Sequence, residues 1–242
     1  MTVRFNRPDK RNSVTMDMYA AMAQACQAAD ADPKVRVVVF TANGDVFCAG
    51  NDLKDFLTHS LDDPSLPVYQ FMRALSSLRK PTIAAVNGAA IGIGATMLMH
   101  CDFVYATPNA RFQLPFVNLA IVPEFASSML LARLVGARRA TELLLLGESF
   151  TAERALADGF INEIIPADHM KATVTTKVRA LASQPPGAMR ETKRLIRADI
   201  GEINARMEIE NKALGERVKT PELKEAVQAF FEKRAPDYSK FE

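Results

Sequence analysis

The chain has 242 residues, 48% hydrophobic and 24% charged, with a formal net charge of +2, enough to bury a full core as one large domain or as one domain with a helical appendage. This composition excludes a disordered chain, and the interspersed acids and bases leave no basic stripe that would track nucleic acid, so no nucleic-acid partner is expected. Three cysteines (Cys26, Cys48, Cys101) without CxxC spacing suit reduced thiols filling apolar space, and three scattered histidines (His59, His100, His169) predict no metal site.

The opening MTVRFNRPDK lacks the basic-then-apolar pattern of a signal peptide, and no apolar run approaches the ~18 residues of a membrane span. DYSKFE is not a peroxisomal address. The expectation is a cytoplasmic protein with no membrane partner.

In chain order, a short extended opening and the turn NRPDKRNS lead into VTMDMYAAMAQACQAAD, where Met18, Met22 and Cys26 recur every four residues as on an amphipathic helix. KVRVVVFTA reads as a buried strand ending at the turn signal Asn43-Gly44, followed by DVFCAGNDL. PTIAAVNG is a second strand, stopped by Gly88, and AAIGIGATMLMHCD reads as a helix with a glycine-spaced start. FVYATP is a third strand and RFQLP a short fourth. SSMLLARLVGARR has helical spacing at Met129, Leu130, Leu134 and Val135, with Gly136 as a stop. ARRATELLLLG and TAERALADG follow as helices, the latter with Thr151 as N-cap and Gly159 as stop. After a brief strand INEIIP, four further helical stretches run to the end. Strands alternating with helices predict right-handed crossovers and an α/β class, with a helical tail. No internal repeat or low-complexity linker interrupts the pattern.

One carboxylate stands apart. Glu124, in IVPEFASSM, lies between Ile121, Val122 and Pro123 on one side and Phe125 on the other. The plainer reading is a helix starter, since proline at the first helical position and glutamate in the first turn suit the free N–H groups and the helix dipole. The sharper one is a base held in a dry place.

CAGNDL and GAAIGIGAT each place glycine just after a strand, where bare backbone can aim N–H groups into a cleft. Gly88, Gly92 and Gly94 do not form the GxGxxG of a dinucleotide site, and a tight turn with close packing would explain either motif alone.

Taken in order with NRPDKRNS, ARFQLPFVNLAIVPE and the terminal FFEKR, these motifs make the chain resemble the crotonase, or enoyl-CoA hydratase/isomerase, superfamily over nearly all its length. The resemblance implies a crotonase-like spiral of β-β-α units over residues 1–180, carrying an acyl-CoA site. It implies a helical region over 181–242 for assembly into a homotrimer or dimer of trimers. It implies an acyl-CoA thioester as partner and no separate cofactor, coenzyme A being part of the substrate. The thioester oxygen would accept the N–H groups of Asn51 and Ile93, in turns freed by Gly50 and Gly92. Coenzyme A contacts are implied for Lys10, Arg11 and Asn12, for Asp52, Leu53 and Lys54, and for Phe230 and Lys233, the last two on a neighbouring subunit. Ordinary solvated charge explains each of these lysines and arginines equally well.

Within the superfamily, hydratases hold water between two glutamates, and the matching positions here are Thr96 and Phe116. Glu124 matches the single catalytic glutamate of the Δ3-Δ2-enoyl-CoA isomerases, which implies a shift of a 3-enoyl-CoA double bond to C2. The alternatives are hydration of a 2-enoyl-CoA and, in another class, a non-catalytic acyl-CoA- or RNA-binding homologue. One departure is the opening: only MTVRF precedes NRPDK, so the first strand is expected to be short.

Overall fold

Residues 1–59, 63–197 and 199–241 are described by the computed structural model. Two sheets carry the fold. Strands β1 (Thr2–Phe5), β2 (Val38–Ala42), β3 (Thr82–Val86), β5 (Phe103–Ala106) and β8 (Glu163–Ile164) form a parallel sheet in the order β1-β2-β3-β5-β8. Strands β4 (Ala89–Ile91), β6 (Arg111–Gln113) and β7 (Phe150–Thr151) form the second, with β4 and β6 parallel and β7 antiparallel to β6. The chain passes from β3 directly to β4 and from β5 to β6, so strand pairs straddle the two sheets before a helix returns. This is the expected β-β-α spiral, and the class is α/β.

Both faces of the parallel sheet are covered, as strands of continuous apolar sequence require. Val38, Phe40, Ala84, Val86, Val104 and Ala106 point into the main core, while Val37, Val39, Ile83, Ala85 and Tyr105 point to the other face. Helices α1 (Met16–Ala31) and α3 (Pro67–Ser76) pack together over the main core, with Met22 and Cys26 buried as their four-residue recurrence predicts. On the far face Val174 of α8 (Ala167–Ala182) joins the second apolar cluster. The short first strand pairs all four of its residues with β2, from Thr2↔Val39 to Phe5↔Ala42.

Two expectations are corrected. The helix read over AAIGIGATMLMHCD is instead β4, a single helical turn α4 (Ile93–Thr96) and a 3-10 turn Met97–His100. Gly92, at φ 55° and ψ −120°, breaks strand from helix, and Gly94 lies so close to Cys48 that a Cβ would sit 2.7 Å from its Cβ. Second, Glu124 does not start a helix. Phe125 and Ala126 take left-handed φ values of 61° and 56°, so α5 (Ser127–Val135) begins only at Ser127.

The remaining helices are α2 (Leu53–Leu57), α6 (Ala137–Leu146), α7 (Ala152–Ala157), α9 (Pro186–Ile196), α10 (Ile200–Arg217) and α11 (Pro221–Glu232). Thr151 caps α7 as expected, accepting from Arg154 N–H. Helix α11 folds back onto the 3-10 turn Val117–Leu119, and Tyr238 beyond it donates to the Asn118 carbonyl at 2.8 Å. Among the described residues no helix is long and apolar enough to cross a membrane.

Candidate active site

The two glycine turns meet. Gly50 (φ 94°) and Gly92 approach so closely that a Cβ on Gly92 would contact the Gly50 Cα at 3.8 Å, and one on Gly50 would lie 3.4 Å from the Ile91 carbonyl oxygen. The bridge between Val14 and Asn51 uses Gly50 O and Asp52 N–H, which leaves the Asn51 N–H turned the other way. Ile93 opens α4, so its N–H has no carbonyl a turn earlier. Both donors line one cleft of about 730 Å³. Tyr19, fully buried on α1, donates its hydroxyl to the Asn51 side-chain oxygen and fixes that residue from behind.

Glu124 enters the same cleft from the loop before α5, only 4% exposed. Its Oε1 is buried with no hydrogen-bond partner among the described residues. Burial, reinforced by the nearby Glu210 carboxylate, pushes its pKa up to about 8. The remaining carboxylate on the cleft, Asp52, is committed elsewhere: it pairs with Arg7 at 2.7 Å and accepts from the Lys54 and Asp55 N–H groups that start α2. The Arg7 guanidinium holds it below the usual carboxylate range. Among the described residues the cleft therefore offers two backbone donors and one free, dry carboxylate.

Of the residues picked from sequence, Lys10, Arg11, Gly50, Asn51, Asp52, Leu53, Lys54, Gly92, Ile93, Phe116, Glu124 and Phe230 all line this cleft. Lys10, Arg11 and Lys54 are exposed and have no acidic partner among the described residues. Two picks fall outside. Asn12 is fully buried, accepting from Arg7 N–H at 2.8 Å and donating to the carbonyls of Asn43 and Val46 at 2.9 and 2.7 Å; it ties three backbone segments together and has no free group for a ligand. Lys233 caps the end of α11 in a left-handed conformation, exposed and outside the lining of its own chain's cleft. Phe230 lies on the cleft of its own chain, where α11 folds back onto the 3-10 turn Val117–Leu119. Thr96 is fully buried and does not line the cleft, while Phe116, 4% exposed, adds apolar surface to its wall.

Sequence reading missed the residues that hold the Glu124 loop. Glu210 of α10 accepts from Ala126 N–H at 2.6 Å, from Ser128 N–H at 2.9 Å and from the Ser128 hydroxyl at 2.5 Å. His100 lies 2.8 Å by its Nε2 from the Phe125 carbonyl and stacks on the Phe125 ring, centroids 3.8 Å apart. Burial pulls its pKa down to about 3, so the ring is neutral and Nε2–H donates. A signal for Glu210 was present: with Ile203, Met207 and Leu214 it occupies the buried stripe of α10, where a carboxylate has no reason to be unless it meets donors.

The sequence profile described as "Enoyl-CoA hydratase/isomerase" matches residues 1–240. The chain belongs to the enoyl-CoA hydratase/isomerase family. A crystal structure of an enoyl-CoA hydratase/isomerase from Pseudoalteromonas atlantica T6c superposes with a TM-score of 0.94 at 40% identity, covering 98% of this chain and 95% of that one. "Enoyl-CoA delta isomerase 2" of Rattus norvegicus is 36% identical over 201 residues, 81% of this chain. This family member spans only about half, 51%, of that relative's length. "2,3-dehydroadipyl-CoA hydratase" of Escherichia coli K12 is 32% identical over 98% of this chain and 94% of its own. The family thus includes both chemistries among this chain's relatives.

Proposed function

We propose that the protein is an acyl-CoA-transforming enzyme that moves the double bond of a 3-enoyl-CoA thioester to C2. The observation that carries this is that Glu124 is, among the described residues, the one uncommitted carboxylate on a cleft that also presents the Asn51 and Ile93 N–H groups. Glu124 takes a proton from C2, the electron pair moves onto the thioester oxygen, and the two N–H groups stabilise the charge that develops there. The enolate then collapses toward C4 as the same carboxyl group returns the proton, so one group serves as base and acid in turn. A pKa near 8 suits both steps, because the carboxylate is a stronger base than an exposed one and its conjugate acid still gives up the proton readily.

Lys10, Arg11 and Lys54 at the cleft would meet the phosphates of coenzyme A, and the apolar wall of Phe116, Leu119 and Ile121 would meet the acyl chain. No further cofactor enters this scheme. Exposed apolar residues such as Leu145 on α6, Leu195 and Ile196 on α9 and Ile209 on α10 fit burial between subunits of a trimer or dimer of trimers. We place residues 181–242 in that assembly role and the enzyme in the cytoplasm.

Hydration of a 2-enoyl-CoA is the second reading, favoured by the relationship to 2,3-dehydroadipyl-CoA hydratase over nearly the full chain. Thr96 and Phe116 weigh against it, since neither takes a proton from water at neutral pH and Phe116 excludes water from its wall. The test is the ratio of kcat/KM for isomerisation of 3-enoyl-CoA to that for hydration of 2-enoyl-CoA by the wild-type enzyme, over several chain lengths. Isomerisation should be much the faster; hydration that is equal or faster overturns the reading.

A further inference from the structure

Two consecutive non-glycine residues with left-handed backbone, Phe125 and Ala126, directly follow Glu124. Nothing in their own chemistry favours that shape, so it persists only where surrounding structure fixes it. Three elements do so. Glu210, 5% exposed on α10, takes the Ala126 N–H on one carboxylate oxygen and both Ser128 donors on the other. His100, in the 3-10 turn after α4, holds the Phe125 carbonyl. Arg197, just past α9, donates to the His100 carbonyl and to Asp102 Oδ1 at 3.1 Å, anchoring that turn in its own place.

We infer that Glu210 is a positioning residue for the reaction: it holds the loop that aims the Glu124 carboxylate into the cleft and sets a second carboxylate near it. The inference rests on the reading of Glu124 as the base. Every interaction Glu210 makes to the loop is one of acceptance, which its ionised form alone satisfies in full. Three other titratable groups near the pair are uncharged near neutral pH. Tyr19 on α1 is held well above its ordinary range and Cys48 is pushed up to about 12, both chiefly by burial, and His100 is neutral. Burial raises the pKa of Glu210, and against it the Ser128 and Ala126 donors and, least, Arg206 one turn earlier on α10 favour the ionised form.

The test separates aim from charge. Because Glu124 must be ionised to act, kcat/KM in the wild type should rise with pH through about 8. Glu210→Gln keeps the shape and part of the acceptance but loses the charge, so this limb should move to lower pH by about one unit. Glu210→Asp keeps the charge but is too short to reach all three donors, so kcat should fall while the limb stays in place. Ser128→Ala removes one donor and should lower kcat slightly with no movement of the limb. A residue that merely stabilised the fold would lower kcat in both Glu210 variants and move the limb in neither, and that result overturns the inference.

Carboxyl carbon NMR of glutamate-labelled protein, with Glu124 assigned by its loss in Glu124→Gln, reads the same coupling without turnover. In the wild type the Glu210 signal should move in two steps, one coinciding with the Glu124 transition; independent single-step titrations overturn the inference even if the Glu210 variants do not fold. Should Glu124→Gln remain active while the NMR coupling holds, the reading of Glu124 as base fails and the charge coupling stands.

Discussion

On one side of the cleft Gly50 and Gly92 take φ values of 94° and 55°, while beside Glu124 the residues Phe125 and Ala126 take 61° and 56° with full side chains. The first pair adopts its shape at no steric cost and needs only a close neighbour to complete the donor geometry. The second pair carries a strain of ~1–2 kcal/mol per residue and holds its shape because His100 and Glu210 clamp the carbonyl and the N–H of the peptide between them. A glycine turn is a local solution, and it can be replaced only at the cost of the turn itself. A clamped turn is a tertiary solution, so its weak points lie far away in sequence, on α10 and after α4.

Substituting the group that the clamped loop presents should give the largest effect. Glu124→Gln should lower kcat for a 3-enoyl-CoA by roughly 10²–10⁴-fold while KM changes little, because shape is kept and the base is lost. The same variant should be more stable. With the folded pKa at about 8 and an ordinary unfolded value, the native wild type binds the extra proton between these limits, so its stability falls as pH rises through that window. Thermal melts should therefore show the advantage of Glu124→Gln growing from about pH 4.5 to 8 and levelling off above, at a few kcal/mol. An equal Tm difference across that range would show that Glu124 is not held in a dry place.

The glycine wall should break next. Ala at position 92 has room, its Cβ meeting the Gly50 Cα at 3.8 Å, but φ 55° with ψ −120° is foreign to it. Gly92→Ala should swing the Ile93 N–H out of line and lower kcat by about 10²-fold, with a loss of ~1–3 kcal/mol in stability from denaturant melts. Unchanged turnover would mean that the Ile93 donor does not serve the reaction.

Asn12 separates support from contact. Asn12→Ala leaves the Arg7 N–H and the Asn43 and Val46 carbonyls unpartnered, and should cost ~2–4 kcal/mol in chemical denaturation with KM for the thioester little changed. A raised KM with full stability would restore it as a ligand contact.

The smallest effect should come from relaxing the clamped turn. Ala126→Gly removes steric strain but frees the unfolded chain, so stability should stay within about 1 kcal/mol of the wild type while kcat drops only a few-fold. A large gain in stability would show strain that the clamp does not offset.

Much of this was readable along the chain. Val37 to Phe40 alternate between the two faces of a buried parallel sheet, as a continuous apolar run implies, and Thr151 starts α7 and Gly136 ends α5 where their chemistry requires. The glycines of CAGN and IGIG gave the donor turns, because left-handed backbone and close approach select glycine locally. The helix misread over 89–102 had the same source: glycine marks a break, yet which side becomes strand depended on β6 pairing with β4.

Tertiary structure alone decided the rest. Glu124 is a dry carboxylate and not a helix start because Phe125 and Ala126 are bent by partners that the sequence separates widely, 84 residues in the case of Ala126 and Glu210. Asn12 and Phe116, both marked as site residues, received opposite surroundings, one sealed among backbone groups and one on the cleft wall. Residue types fix which chemistry is available, and periodicity fixes which face turns inward. The pairing of buried charge and strained backbone is settled only when non-local elements pack, because the low-dielectric surroundings that raise the basicity of Glu124 do not exist until α10 closes over its loop.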